Sequence, residues 1–185
     1  MKDYINEYIT KLERGLRSID PSAIAEVVEA LERARLEQRM LFIIGNGGSA
    51  ATASHMANDL QKLASQGKDE AFRAIALTDN VPLITAWGND EDYTAVFFRQ
   101  LEALAWAGDV LIAITGSGNS KNIIRAMEWA KYVGLETIAL LGFDGGKARS
   151  IADHVLLFPE DHYGRVEDAH MILEHMIANY LADLP

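Results

Sequence analysis

Two short loops carry most of the chemistry legible in this chain. Gly45-Asn46-Gly47-Gly48-Ser49 follows the apolar run MLFII, and Thr115-Gly116-Ser117-Gly118-Asn119-Ser120 follows DVLIAI. An apolar run ending in glycines and hydroxyls, and leading into a helical pattern, reads as strand, tight turn and helix start. Such a turn presents backbone N–H groups at the positive end of a helix dipole, where phosphate binds. Thr115, Ser117 and Ser120 add side-chain hydroxyls, and Ser120 can also cap the helix that follows. For either loop alone, a plain strand–helix turn is an equally good reading. Two of them in 185 residues point to a phosphorylated small molecule held from two sides.

A second set of residues can move protons or hold a metal. His55 and Asp59 stand four apart in a helical stretch, so both project from one face. Glu167 and His175 stand eight apart in the last helical stretch, a little over two turns, and are again nearly aligned. The chain has no cysteine, so thiolate chemistry is excluded and a bound metal must use imidazoles and carboxylates. Spacing alone favours the plainer alternative, a surface Asp–His pair and a buried histidine in a terminal helix.

The elements that must position these residues alternate from residue 40 onward. Apolar runs predict strands at 40–45, 73–77, 109–115, 136–141 and 154–158. Helical patterns at 48–63, 80–87, 120–133, 146–151 and 164–182 separate or follow them. The strands are continuously apolar (LFII, VLIAI, TIALL), as expected where helices cover both faces of a parallel sheet. The fold class is therefore α/β, a single doubly wound, mostly parallel five-stranded sheet of the flavodoxin or Rossmann kind. Two leading helices, 3–19 and about 22–36, precede any strand. They exceed what one small sheet needs, so the first is expected to pack on another subunit. In such sheets ligands bind at the carboxyl ends of the strands, where both glycine loops fall.

Gly45-x-Gly47-x-x-Ala50 also fits a dinucleotide fingerprint. Asp79 lies well beyond the roughly 20 residues at which the ribose-binding acid is found. No separate substrate domain remains, and the second loop would be redundant, so no nucleotide cofactor is expected. A net charge of −10 argues against nucleic acid as a partner. No apolar run approaches 18 residues, so no membrane span is expected. The opening MKDYINEYITKLERGL has no signal-peptide core, and the expected location is the cytoplasm.

GNGGSAATASHMANDL, AWGND, GDVLIAITGSGNS, GFDGGK and GRVEDAHMILEHM, in that order, resemble the sugar isomerase (SIS) domain, most closely the bacterial phosphoheptose isomerases. The likeness runs from about residue 40 to the end, and the leading helices suit the family. It implies one SIS domain over 1–185, with oligomerising helices in 1–37 and the α/β core in 38–185. It further implies a homotetramer with active sites between subunits, zinc in those sites, and conversion of sedoheptulose 7-phosphate to D-glycero-D-manno-heptose 7-phosphate for surface glycans. Carried over by position, substrate contacts fall on Asn46, Gly47, Gly48, Ser49, Asp59, Asn89, Asp90, Thr115, Gly116, Ser117, Ser120 and Glu167. The metal positions are His55, Asp59, Glu167 and His175, and the acid/base pair is Asp59 and His175. The family's usual catalytic glutamate is Asp59 here, one methylene shorter, and its usual glutamine is Glu167. The Gly-Arg-Tyr often seen in the segment after Leu60 is missing from QKLASQGKDEAF. Two other SIS roles compete with the enzyme: binding a protein such as the replication initiator DnaA, and sensing a sugar phosphate without turnover. The acid retained at 59 and the histidine at 175 favour the enzyme.

Overall fold

Each apolar run that reads as a strand forms one, and all join a single sheet. The computed structural model describes residues 1–184. Two helices, α1 (Lys2–Arg17) and α2 (Pro21–Leu36), come first. Then follow β1 (Met40–Gly45), α3 (Gly48–Lys62), β2 (Arg73–Ala76), α4 (Val81–Asp90) and α5 (Ala95–Leu104). The remainder is β3 (Val110–Thr115), α6 (Lys121–Val133), β4 (Glu136–Gly142), α7 (Ala148–Ile151), β5 (His154–Phe158) and α8 (Tyr163–Asp183). The strand order is β2-β1-β3-β4-β5, and every neighbouring pair is parallel.

That order places a topological switch point between β1 and β3. The chain leaves β1 toward β2 on one side, then crosses back to start β3 on the other. In the β1–β3 ladder Gly45 lies opposite Ile114, so the loops that leave these strands are neighbours. The crevice at such a point, outside the carboxyl ends of the strands, is where this architecture binds ligands.

The unbroken apolar character of the strands follows from two buried layers. Leu41 and Ile43 of β1, with Val110, Ile112 and Ile114 of β3, face a core shared with α2, α3 and α8. Phe42 and Ile44, with Leu111 and Ala113, face a second core shared with α5 and α6. Successive side chains point to opposite faces, and here each face is covered. Helix α5 has no counterpart among the predicted elements. Its N-cap residue, Thr94, makes no side-chain capping bond; the Thr94 amide donates instead to Asp92 Oδ1 at 2.7 Å. Val96, Phe97 and Leu101 nevertheless bury it in the second core.

Helix α1 has no fully buried residue. One side docks on its own chain: the Tyr8 hydroxyl donates to Asp168 at 2.6 Å, and Leu12 and Leu16 pack on the first core. Tyr4, Ile5 and Ile9 remain 60, 48 and 57% exposed. The apolar stripe is thus only partly used within this chain. Among the described residues no helix is long and apolar enough to cross a membrane.

Candidate active site

At the switch point, glycines let two loops close tightly. A Cβ on Gly45 would lie 2.4 Å from the Ser49 carbonyl oxygen, so only glycine allows β1 to turn straight into α3. Gly118, at φ +62°, sits against the turn after β4, where its Cβ would come within 1.9 Å of the Gly145 carbonyl oxygen. The Ala148 amide donates to the Gly118 carbonyl at 3.0 Å, and the Lys147 amide to Asn119 Oδ1 at 3.2 Å. The loop after β3 is therefore braced from behind. Neither α3 nor α6 has a side-chain cap, and Ser120, the N-cap residue of α6, keeps its hydroxyl free of that bond.

Between the loops lies a cleft of about 100 Å³, lined by Asn46, Ser49, Ile114, Thr115, Gly116, Ser117, Ser120, Tyr163 and Glu167. Asn46 and Ser49 come from the first loop, and Thr115, Gly116, Ser117 and Ser120 from the second. Its size falls well below the roughly 300–1,000 Å³ of a site enclosing a whole small molecule. It suits the phosphate end of a ligand and leaves the remainder to be held elsewhere.

Of the positions carried over as substrate contacts, Asn46, Ser49, Thr115, Gly116, Ser117, Ser120 and Glu167 meet at this cleft. Asn89 and Asp90 do not line it. They sit exposed at the end of α4, where the Asn89 amide donates to Asp90 Oδ1 at 2.9 Å. The loop beyond them does return, because the Tyr93 hydroxyl donates to Asn46 Oδ1 at 3.0 Å. Asn122 completes this arrangement and is not among the predicted residues. Buried in the first turn of α6, it exchanges two hydrogen bonds with Asn46: Asn46 Nδ2 donates to Asn122 Oδ1 at 3.0 Å, and Asn122 Nδ2 to Asn46 Oδ1 at 2.8 Å. A polar residue directly before the apolar pair Ile123-Ile124 is the trace it leaves in the sequence.

Helices α3 and α8 run side by side in the same sense. Near their starts, a Cβ on Gly48 would lie 2.6 Å from the Glu167 carboxylate. About two turns on, His55 Nε2 and His175 Nε2 face each other at 3.1 Å. Asp59 Oδ2 is 3.5 Å from His55 Nε2, and Glu174 Oε2 is 3.5 Å from His175 Nε2. One ligand atom from each of these four residues lies within 4.8 Å of all the others. Glu167 is not one of the four. Its place along α8 puts it over the first glycine loop, and Glu174 enters the cluster instead. Nothing in the spacing of Glu174 marks it; the only signal is a glutamate set among apolar residues just before His175.

Glu174 is fully buried, whereas the His55 and His175 side chains are 43 and 46% exposed. Burial, aided by the Asp59 carboxylate, pushes the Glu174 carboxyl up to about 7. His170 lies in the core between α8 and the sheet, where burial lowers its imidazole to about 4 and keeps it neutral. Arg165 is engaged away from the cleft. Its Nε donates to Glu160 Oε2 at 2.9 Å, and its guanidinium lies 5.5 Å from the Tyr8 ring centroid. Trp87 does not line the cleft either, and lies beneath the Arg99 guanidinium.

Known proteins share both the sequence and the shape described above. The model of the SIS domain matches residues 3–142. A phosphoheptose isomerase from Sulfurimonas denitrificans is 38% identical over 187 residues, covering 98% of this chain and 95% of its own. One from Clostridium acetobutylicum is 40% identical over 157 residues, covering 84% of this chain and 79% of its own. Among solved structures, phosphoheptose isomerase GmhA from Neisseria gonorrhoeae superposes with a TM-score of 0.90. It is 31% identical, over 99% of this chain and 97% of that one.

Proposed function

The chain belongs to the SIS domain family, and from that membership and its site we infer that it is a sugar-phosphate isomerase. It isomerises sedoheptulose 7-phosphate to the aldose D-glycero-D-manno-heptose 7-phosphate. The observation that carries this reading is the distance between the two halves of the site. Six residues of α3 separate Ser49 from His55, and eight of α8 separate Glu167 from His175. At 1.5 Å per residue these are spans of about 9 and 12 Å. An extended seven-carbon sugar places its 7-phosphate about 10 Å from C1, with C–C bonds of about 1.5 Å. With the phosphate on the hydroxyls of Thr115, Ser117 and Ser120, C1 and C2 reach the cluster of His55, Asp59 and His175.

Aldose–ketose isomerisation transfers one proton between adjacent carbons and another between their oxygens, through an enediol. It requires a base at the carbon, an acid at the oxygen and stabilisation of the charge that develops. Asp59 and His175 divide the two transfers. Asp59 is held by the Asn58 amide, which donates to its Oδ1 at 2.9 Å, and its other oxygen faces His55. The α3 amides and the loop hydroxyls bind the phosphate dianion and fix the far end of the chain. Asn46, orientated by Asn122 and Tyr93, points its remaining donor at the sugar. Two imidazoles and a carboxylate in mutual contact form a donor set that fits a divalent cation, zinc above all. His55, Asp59 and His175 would hold it, and it would polarise the sugar oxygens.

The whole of 1–185 serves as one SIS domain, with the helices of 1–37 given to assembly and 38–185 to chemistry. The small cleft, the uncovered Tyr4, Ile5 and Ile9, and exposed Met176 and Tyr180 beside His175 support a homotetramer with active sites between subunits. Incubation with sedoheptulose 7-phosphate, followed by resolution of aldose from ketose, tests the function. Turnover is expected, and Asp59→Ala or His175→Ala should lower kcat by about 10²–10⁴-fold, the usual worth of a positioned acid or base. Tight binding of the sugar phosphate without conversion would refute the isomerase. Sedimentation at working concentration tests the tetramer, and a stable monomer would overturn it.

A further inference from the structure

We propose that Glu174 is the fourth ligand of a divalent-cation site built with His55, Asp59 and His175, at the position that resemblance gives to Glu167. The proposal rests on the reading that a cation is bound at this cluster, and it fixes which side chains bind it.

Three observations support it. Glu174 has no exposed surface, and neither of its carboxylate oxygens has a hydrogen-bond partner. A carboxylate buried in this way is costly unless a cation or a set of donors compensates it. Among the described residues no Lys or Arg forms an ion pair with it; it lies beside the His175 ring, and the nearby Asp59 carboxylate worsens its position. A dication placed among the four groups would neutralise both carboxylates at once.

Three of the six donor separations lie close to those of a tetrahedral site, and all six are within 4.8 Å. His55 Nε2 to His175 Nε2 is 3.1 Å, His55 Nε2 to Asp59 Oδ2 is 3.5 Å, and His175 Nε2 to Glu174 Oε2 is 3.5 Å. A tetrahedral zinc site with bonds of about 2.0–2.1 Å has donor–donor edges of about 3.3 Å. Two imidazole Nε2 atoms that face each other so closely must share a proton or a cation, since two bare lone pairs or two N–H groups would repel.

Position along the helices separates the two glutamates. Glu167 is seven residues before Glu174, about 10 Å back along α8 at 1.5 Å per residue, and its carboxylate lies against Gly48. Glu174 precedes His175 directly and approaches from the buried side, while the two histidines close the exposed side.

Titration of the chelator-stripped full chain with Zn²⁺, in competition with a chromophoric chelator, tests the assignment. The visible spectrum of the Co²⁺-loaded protein provides an independent readout. The parent should bind one ion per chain. Glu174→Leu and Glu174→Gln should weaken binding by about 100-fold or more, the upper end of what even a ligand's outer partners contribute. Both should also alter the Co²⁺ spectrum, while Glu167→Gln should stay within about threefold of the parent. The metal-free Glu174→Leu protein should melt above the metal-free parent, because an uncompensated buried carboxylate has been removed. Parent-like affinity in both Glu174 variants would overturn the proposal, as would an equal loss in Glu167→Gln. A parent that binds no ion yet converts sedoheptulose 7-phosphate would also overturn it, and would leave the isomerase standing.

Discussion

Replacing Gly118 with alanine tests whether the loop after β3 holds its hydroxyls in place through its backing turn. The residue has φ +62°, and an added Cβ would come within 1.9 Å of the Gly145 carbonyl oxygen. That oxygen is backbone, so no side-chain rotation relieves the contact. A left-handed conformation costs a non-glycine residue about 1–2 kcal/mol, and forcing an extra methyl into a packed site costs about 1–3 kcal/mol. A total of about 3 kcal/mol should lower Tm by about 6–12 °C in a domain of this size. Gly67→Ala is the matched control, because Gly67 has φ +78° with nothing within 4 Å of its Cβ position. It should lose only the backbone part. Thermal unfolding by circular dichroism at one fixed protein concentration gives both numbers. Relief of the clash requires the loop to move off the turn after β4, which displaces Ser117 and Ser120, so KM for the sugar phosphate should rise in Gly118→Ala alone. Equal Tm losses in the two variants with unchanged KM would refute the bracing argument.

Asn122→Ala should raise KM for the sugar phosphate more than it lowers kcat, because Asn46 loses the partner that fixes its amide orientation. A hydrogen bond of this kind is worth about 1 kcal/mol, or roughly fivefold, and kinetic parameters equal to the parent's would make the pair structural only. Glu160 gives a pH prediction of definite sign. The hydrogen bond from Arg165 holds its carboxyl down at about 2, against an ordinary value of 4.5. The pair therefore stabilises the fold fully above about pH 4.5 and progressively loses that contribution as the pH falls toward 2. Glu160→Gln should reduce the slope of Tm against pH over that acid range, and an unchanged slope would show that the pair contributes nothing.

The apolar runs were sufficient to assign the five strands and their parallel order of burial, because a strand covered on both faces leaves a continuous signature. The glycine loops were equally legible, since Gly45 and Gly118 sit where backbone meets backbone and no other residue fits. Helix α5 was not read from the sequence, and its place is set by the packing of Val96, Phe97 and Leu101 in the second core. Asn122 and Glu174 were hidden for a related reason. Each acts on a residue far away in the chain, 76 positions from Asn46 in one case and 115 from Asp59 in the other. Residue types and local spacing therefore pointed to two loops suited to a phosphate, while the acid/base and metal positions were legible only through the resemblance to a known family. The pairing of α3 with α8, which brings Glu174 rather than Glu167 level with His55 and Asp59, was decided only by the tertiary structure. Helical period aligns residues along one helix, but the relative axial offset of two helices is set by how their side chains pack.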